Sequence, residues 1–488
     1  MTAFQNLFIL LVYFGVLVVI SILTSRKSTV DSFYHGNRKS PWFLVAFGMI
    51  GASLSGVTFI SIPGWVGDTH FGYMQTVLGY MIGYLVISLV LLPLYYRENL
   101  TSIYTYLQRR FGEVGYKTGA GYFIVSRIVG ASFRLFLVAG VLHLAIFEPF
   151  HFPYWLTVAV TILLIFTYTS KSGIKTVVYT DVFQTTFLVL AVVLTIYFIC
   201  SEMNLDASGL IRTLVDDPNT QIFHWGWKGG NVFWKQFIGG AFIALVMTGL
   251  DQDMMQKNLS ISNLKKAQRN IYVQMGMFLV INLIFLSLGA LLYAYIKHIN
   301  WQIFPLLSTD QIFPLLALTK GSTVIAVFFI LGLVAAAYSS ADSALTALTT
   351  SFCVDFLGFE RTKPTHLKTR RLVHLSFAFI LFITILVFNK MNNRAVIDNL
   401  FKAAGYTYGP LLGLFFFGIL TKRLVVDKMI FLISLFSIGC TWVYHHFMPI
   451  WVEGFKPGFE LILLNGSITF LLLWLWSKNK LTNKRIEV

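Results

Sequence analysis

Uncharged or nearly uncharged runs of about 17 to 25 residues, the length that crosses a bilayer as a helix, follow one another along almost all of this 488-residue chain. In hydrocarbon the backbone must satisfy its own hydrogen bonds, so runs of this length fold as helices and little else. They fall near 6–24, 41–61, 72–95, 118–146, 154–169, 181–201, 233–251, 271–296, 322–352, 372–389, 398–420, 429–447 and 458–476. Only 12% of the residues are charged, against about 25% in soluble domains. The expectation is an all-α polytopic membrane protein with about thirteen transmembrane helices. With no long linker and short loops, residues 1–488 form a single transmembrane domain.

Charge orients it. Placing alternate loops on alternate sides gathers 26 Lys and Arg on one side, Lys171, Lys175 and Lys257 among them, and 8 on the other, with Arg127, Arg134 and Lys402 inside spans. The positive-inside rule then predicts an external N-terminus and a cytoplasmic C-terminus in the cell membrane. The net charge of +16 follows from that asymmetry beside an anionic leaflet, and no nucleic-acid partner is needed to explain it. Cys200, Cys353 and Cys440 share no CxxC spacing and read as reduced packing residues. The first segment lacks an upstream basic region and a small-residue cleavage signature, and reads as a retained helix.

The second span carries small and hydroxylated residues from Ile50 to Phe59. One reading is a helix interrupted near the bilayer midplane, the way secondary transporters build substrate and ion sites; the other is a small-residue packing face. Five spans later, Gly239-Gly240 and Gly249 fall in a comparable place. Two consecutive five-helix units must have opposite topology. The spacing therefore predicts inverted repeats over about 41–201 and 233–420, with 6–24, 429–447 and 458–476 as additions. The external segment 202–232 holds the turn cluster Asp216, Asp217, Pro218, Asn219 and the interfacial pair Trp225 and Trp227.

In the ninth span Ser339, Asp342, Ser343, Thr346 and Thr350 recur at spacings of three and four, so one helical face is polar. A carboxylate at this depth costs roughly 2.5–3.5 kcal/mol and faces a cavity or a partner. The hydroxyls suit either an alkali cation or a serine-rich helix contact. Asp181 opens the sixth span, as an interfacial salt bridge or N-cap, or as a second site carboxylate that meets Asp342 across a bound cation or a shared proton. Arg134 lies inside the fourth span, where it pairs with a protein carboxylate or receives a substrate carboxylate. No HExxH, GxSxG or Walker A pattern is present, which leaves enzyme readings without support. An ion channel or a transporter-like sensor remain as rivals.

Several ordered motifs resemble the sodium:solute symporter family: Asp31-Ser32-Phe33-Tyr34 with Gly36, Thr58-Phe59-Ile60-Ser61-Ile62-Pro63, Leu100 to Leu107, Gly173 with Tyr179-Thr180-Asp181, Asp251-Gln252-Asp253 with Gln256, Ser339 to Leu345, and Gly405 with Gly409-Pro410. The resemblance covers essentially the whole chain. It implies a LeuT-type five-plus-five inverted repeat with broken first helices, and solute import coupled to Na+ by alternating access. Carried over by position, the common sodium site comprises carbonyls of Gly51, Leu54 and Ala336 with the hydroxyls of Ser339 and Ser340. A second sodium site draws on Asp181, Ser340, Asp342 and Ser343, although Asp342 stands where the sialic acid branch has serine. The solute site is implied at Ser55, Gly56, Thr58, Tyr73, Val77 and Arg134, although Gly56 and Val77 stand where that branch has serine and glutamine. The expected solute is a carboxylated sugar such as sialic acid, with a neutral sugar, polyol or amino acid as the alternative, and the working unit is a monomer.

Overall fold

The computed structural model describes residues 3–25, 38–100, 102–301, 308–359, 367–391 and 396–478. The motif residues Asp31 to Gly36, together with Thr101, lie outside them, as do Arg26, Lys27, Arg361, Lys363, Arg394, Lys480, Lys484 and Arg485 of the charge count. The described residues are all-helical, with no strand and a lone β-bridge between Leu424 and Lys478. Nine of their helices are long and apolar enough to cross a membrane, or ten if one bent pair counts as a single span.

In chain order the principal helices are α1 (Ala3–Ser25), α2 (Trp42–Ser53), α3 (Gly56–Thr69), α4 (Tyr73–Val86), α5 (Glu113–Leu142) and α6 (Tyr154–Glu202). They continue as α7 (Ala207–Asp216), α8 (Phe233–Ala244), α9 (Gln252–Leu259), α10 (Leu264–His298), α11 (Thr309–Thr319) and α12 (Thr323–Ser351). The last four are α13 (Leu367–Met391), α14 (Val396–Leu420), α15 (Asp427–Trp451) and α16 (Leu461–Leu475).

The small-residue segment is a break. Between α2 and α3 the backbone leaves the helical region at Leu54 (φ −81°, ψ 75°) and Ser55 (φ −73°, ψ 175°). The second interruption is also present, directly after Gly249 and not at the glycine pair. The helical backbone passes through Gly239 and Gly240 and ends after a π-turn at Leu245–Gly249; α9 then leaves at 63°. The glycine pair has a packing role: a Cβ on Gly240 would stand 2.2 Å from the Thr76 carbonyl oxygen, and one on Gly239 2.6 Å from the Phe459 side chain.

α6 joins the two expected spans, 154–169 and 181–201, in one continuous helix, where the sequence reading placed a loop between them. Its backbone stays helical from Tyr154 to Glu202, although its apolar parts, Tyr154–Thr167 and Thr176–Glu202, remain distinct. The connecting stretch holds one glycine and no proline, so nothing in it stops a helix. As a consequence Asp181 is not a helix opener or N-cap; it sits within the helix and is buried.

α12 is the centre of the molecule. Every residue from Gly332 to Ser351 is buried, because this helix packs along α6 and also against α1, α2, α3, α5 and α13. α1, treated from sequence as an addition, lies against both α6 and α12.

Candidate functional site

The site forms where the broken ends of α2 and α9 meet α6 and α12. A helix end leaves its last carbonyls without intrahelical partners, so the break after Ser53 presents unused oxygens in the protein interior. Gly51 lets them come close to α6, since a Cβ there would fall 2.0 Å from Thr185 Oγ1; at Gly48 it would meet the Asp181 Cβ at 3.0 Å. Asp181 therefore lies directly beside the end of α2.

On α12, Ser339 donates its hydroxyl to Asp181 Oδ1 at 2.6 Å, which leaves the lone pairs of Ser339 Oγ for a cation. Ser340 Oγ is buried with no hydrogen-bond partner among the described residues. A buried hydroxyl without a partner costs free energy that a bound ion would recover. These two oxygens are hard donors of the kind an alkali cation takes; Gly51 and Leu54 stand at the end of α2, and Ala336 lies one turn before Ser340 on α12.

The position that the resemblance implies for a second sodium holds a side chain not expected there from sequence. Lys257, counted there among loop cations, is buried on α9, and its ammonium donates to Asp181 Oδ2 and to Ser343 Oγ, both at 2.8 Å. Asp342, one residue earlier, accepts from the Ser343 backbone N–H at 2.5 Å. The available signal was position: Lys257 follows the motif Asp251-Gln252-Asp253 and Gln256 on a segment too short to leave the membrane domain.

A cavity of about 70 Å³ opens beside the break. Ser55, Thr58, Tyr73 and Arg134 line it, as the sequence implied, together with Ser53, Tyr80, Tyr84, Thr248, Met254 and Phe401. Gly56 and Val77 do not. A Cβ on Gly56 would stand 2.2 Å from Val138 Cγ2, so Gly56 serves the packing of α3 on α5, and Val77 is fully buried. Tyr73 and Tyr80 approach each other through their hydroxyls at 3.3 Å.

Arg127 and Arg134 lie two turns apart on α5, and their partners differ. Arg127 pairs with Asp253 and, at 3.6 Å, with Asp251, whose other contacts are the Tyr408 hydroxyl at 2.7 Å and the first N–H groups of α9. Arg134 is buried, with Nε and Nη1 unpartnered among the described residues. The nearest carboxylates are thus already committed to Arg127.

The model of the sodium:solute symporter family matches residues 33–427. The chain belongs to that family. Members of it that this symporter resembles include the sodium/sialic acid symporter SiaT of Proteus mirabilis, 26% identical over 86% of this chain and 85% of that protein. The sodium/sialic acid symporter NanT of Aliivibrio fischeri is 24% identical over 86% and 83%. Among solved structures, a Na+-coupled sialic acid symporter in a substrate-bound outward-open state superposes with a TM-score of 0.82 at 21% identity, over 97% of this chain and 98% of that one, and so shares the fold. The protein is accordingly a multi-pass, sodium-coupled membrane symporter and not an enzyme.

Proposed function

We propose that the solute is a small organic anion, a carboxylated sugar of the sialic acid kind, held in the cavity beside the α2–α3 break with its carboxylate on Arg134. The observation that carries this is the buried Arg134 guanidinium, whose Nε and Nη1 have no partner among the described residues. A guanidinium fork matches a carboxylate bidentately; the tyrosines offer a sugar ring apolar faces with polar tips, and Phe401 an apolar face. Similarity to two sodium/sialic acid symporters points the same way.

Sodium binds first in this reading, between the carbonyls of Gly51, Leu54 and Ala336 and the hydroxyls of Ser339 and Ser340. It joins the broken helix to α12, the solute follows, and both leave on the cytoplasmic side. Coupling then rests on the difference in sodium affinity between the two access states. The architecture we assign is thirteen spans with inverted repeats over about 41–201 and 233–420, external N-terminus, cytoplasmic C-terminus, and a monomer as the working unit.

The test is thermal unfolding of the purified protein with sialic acid, other sugar acids, neutral sugars, polyols, amino acids and monocarboxylates, each in sodium and in matched potassium. Stabilisation by a sugar acid in sodium alone is the expected result. Stabilisation by neutral sugars and by no acid would remove Arg134 from the solute site.

A further inference from the structure

We infer that the ammonium of Lys257 is a built-in second cation, so that this symporter binds and moves one sodium ion per cycle and not two. The inference rests on the proposed primary sodium site and adds to it. The position that the family resemblance offers to a second sodium is made of Asp181 and Ser343, with Ser340 and Asp342 beside them. Lys257 Nζ reaches the first two directly, at 2.8 Å each, from a side chain that is 1% exposed.

An ammonium is a compact point charge with three donors and no acceptor. It therefore supplies to these oxygens the charge a sodium ion would supply, and it also fills the space. Ser343 Oγ sends its own proton toward the Ser339 carbonyl at 2.9 Å, which turns its lone pairs to Lys257. Among the neighbouring carboxylates, Asp251 and Asp253 face Arg127, Asp181 faces Lys257, and Asp342 accepts from the Ser343 N–H. A further free cation beside Asp181 would meet a fixed positive charge at contact distance.

The tether changes what the position does. A sodium ion arrives from solution and leaves with the solute, whereas Lys257 stays on α9, the short helix beyond the second break, which packs on α2, α6 and α12. The same charge contact that elsewhere would report ion occupancy here clamps α9 to Asp181.

The experiment is equilibrium binding of radioactive sodium to the purified full-length protein, which needs no solute. The wild type should bind one sodium per chain without cooperativity. Lys257→Met should open the position and bind a second ion, with thermal stability that becomes steeply sodium-dependent. Lys257→Met combined with Asp181→Asn should return to one. Two ions on the wild type overturn the inference, as does a folded Lys257→Met that still binds one. If Lys257→Met does not fold, the wild-type count together with the double variant decides. A wild type that binds no sodium at all fails at the primary site, which is a result distinct from a count of two.

Discussion

Arg134 and Arg127 share a helix and differ in everything that matters to function. Arg127 has Asp251 and Asp253, so its removal would leave two buried carboxylates uncompensated, a change of about 3–5 kcal/mol when one partner of a buried pair is lost. Arg134→Ala removes no such pair. It is expected to leave folding intact and to weaken a carboxylated solute by roughly 10- to 100-fold, the equivalent of about 1.5–3 kcal/mol for hydrogen bonds to a charged group. Arg134→Lys should recover part of that, since it keeps the charge and loses the fork. Solute titrations in the thermal assay read both. Ser339→Ala with Ser340→Ala should abolish sodium binding in a folded protein, and retention of the ion would move the site away from α12.

At the scale of elements, close helix contacts depend on glycines at a few positions. A Cβ at Gly240 would meet the Thr76 carbonyl at 2.2 Å, and one at Gly79 the Phe237 carbonyl at 2.0 Å, both backbone atoms that cannot step aside. α4 and α8 are held together through this pair. Gly240→Ala is expected to destabilise by about 1–3 kcal/mol through overpacking. Gly276, on α10, is exposed with nothing within 4 Å of its Cβ position; there alanine should be neutral or stabilise by up to about 1 kcal/mol through helix propensity. Thermal unfolding of the two variants side by side separates packing from propensity. The breaks follow a different rule. Asp251 ends one by capping α9, accepting from the backbone N–H groups of Asp253 and Met254 while it takes the Tyr408 hydroxyl. That anchors the second broken helix to α14.

At the scale of the whole molecule, the number of mobile cations sets the energetics. One sodium crossing 100 mV contributes about 2.3 kcal/mol, and a tenfold sodium gradient about 1.4 kcal/mol more. With a monoanionic solute the electrical part cancels. One sodium then moves no net charge, and accumulation is limited to about the sodium gradient itself, roughly tenfold for a tenfold gradient. Proteoliposomes test this directly: a sugar acid should be taken up in sodium without current, and an inside-negative potassium diffusion potential should not accelerate its net accumulation. A current that scales with uptake would require a second mobile cation and would return Asp181 and Ser343 to ion binding.

The sequence by itself determined the membrane, the helices and the family. Hydrocarbon admits no unpaired backbone, so a succession of apolar runs can only be spans, and the hydroxyl-rich segments around Ile50 and Ser339 are legible because nothing lipid-facing calls for them. It also singled out Asp181, Ser339 and Arg134 as site candidates, of which the first two meet at 2.6 Å. Three things were decided only by the tertiary structure. A helix break near Asp181 is absent because no residue there stops a helix, and the neighbouring helices bury the carboxylate. The second break lies at Leu250–Asp251, directly after Gly249 and not at Gly239 and Gly240, which bring α8 against Phe459 and α4. Lys257, by composition a loop cation, is drawn inward because its distant partners Asp181 and Ser343 lie on helices whose approach no local pattern encodes. Periodicity reports which face of one helix is polar; which charges meet across four helices depends on how those helices pack.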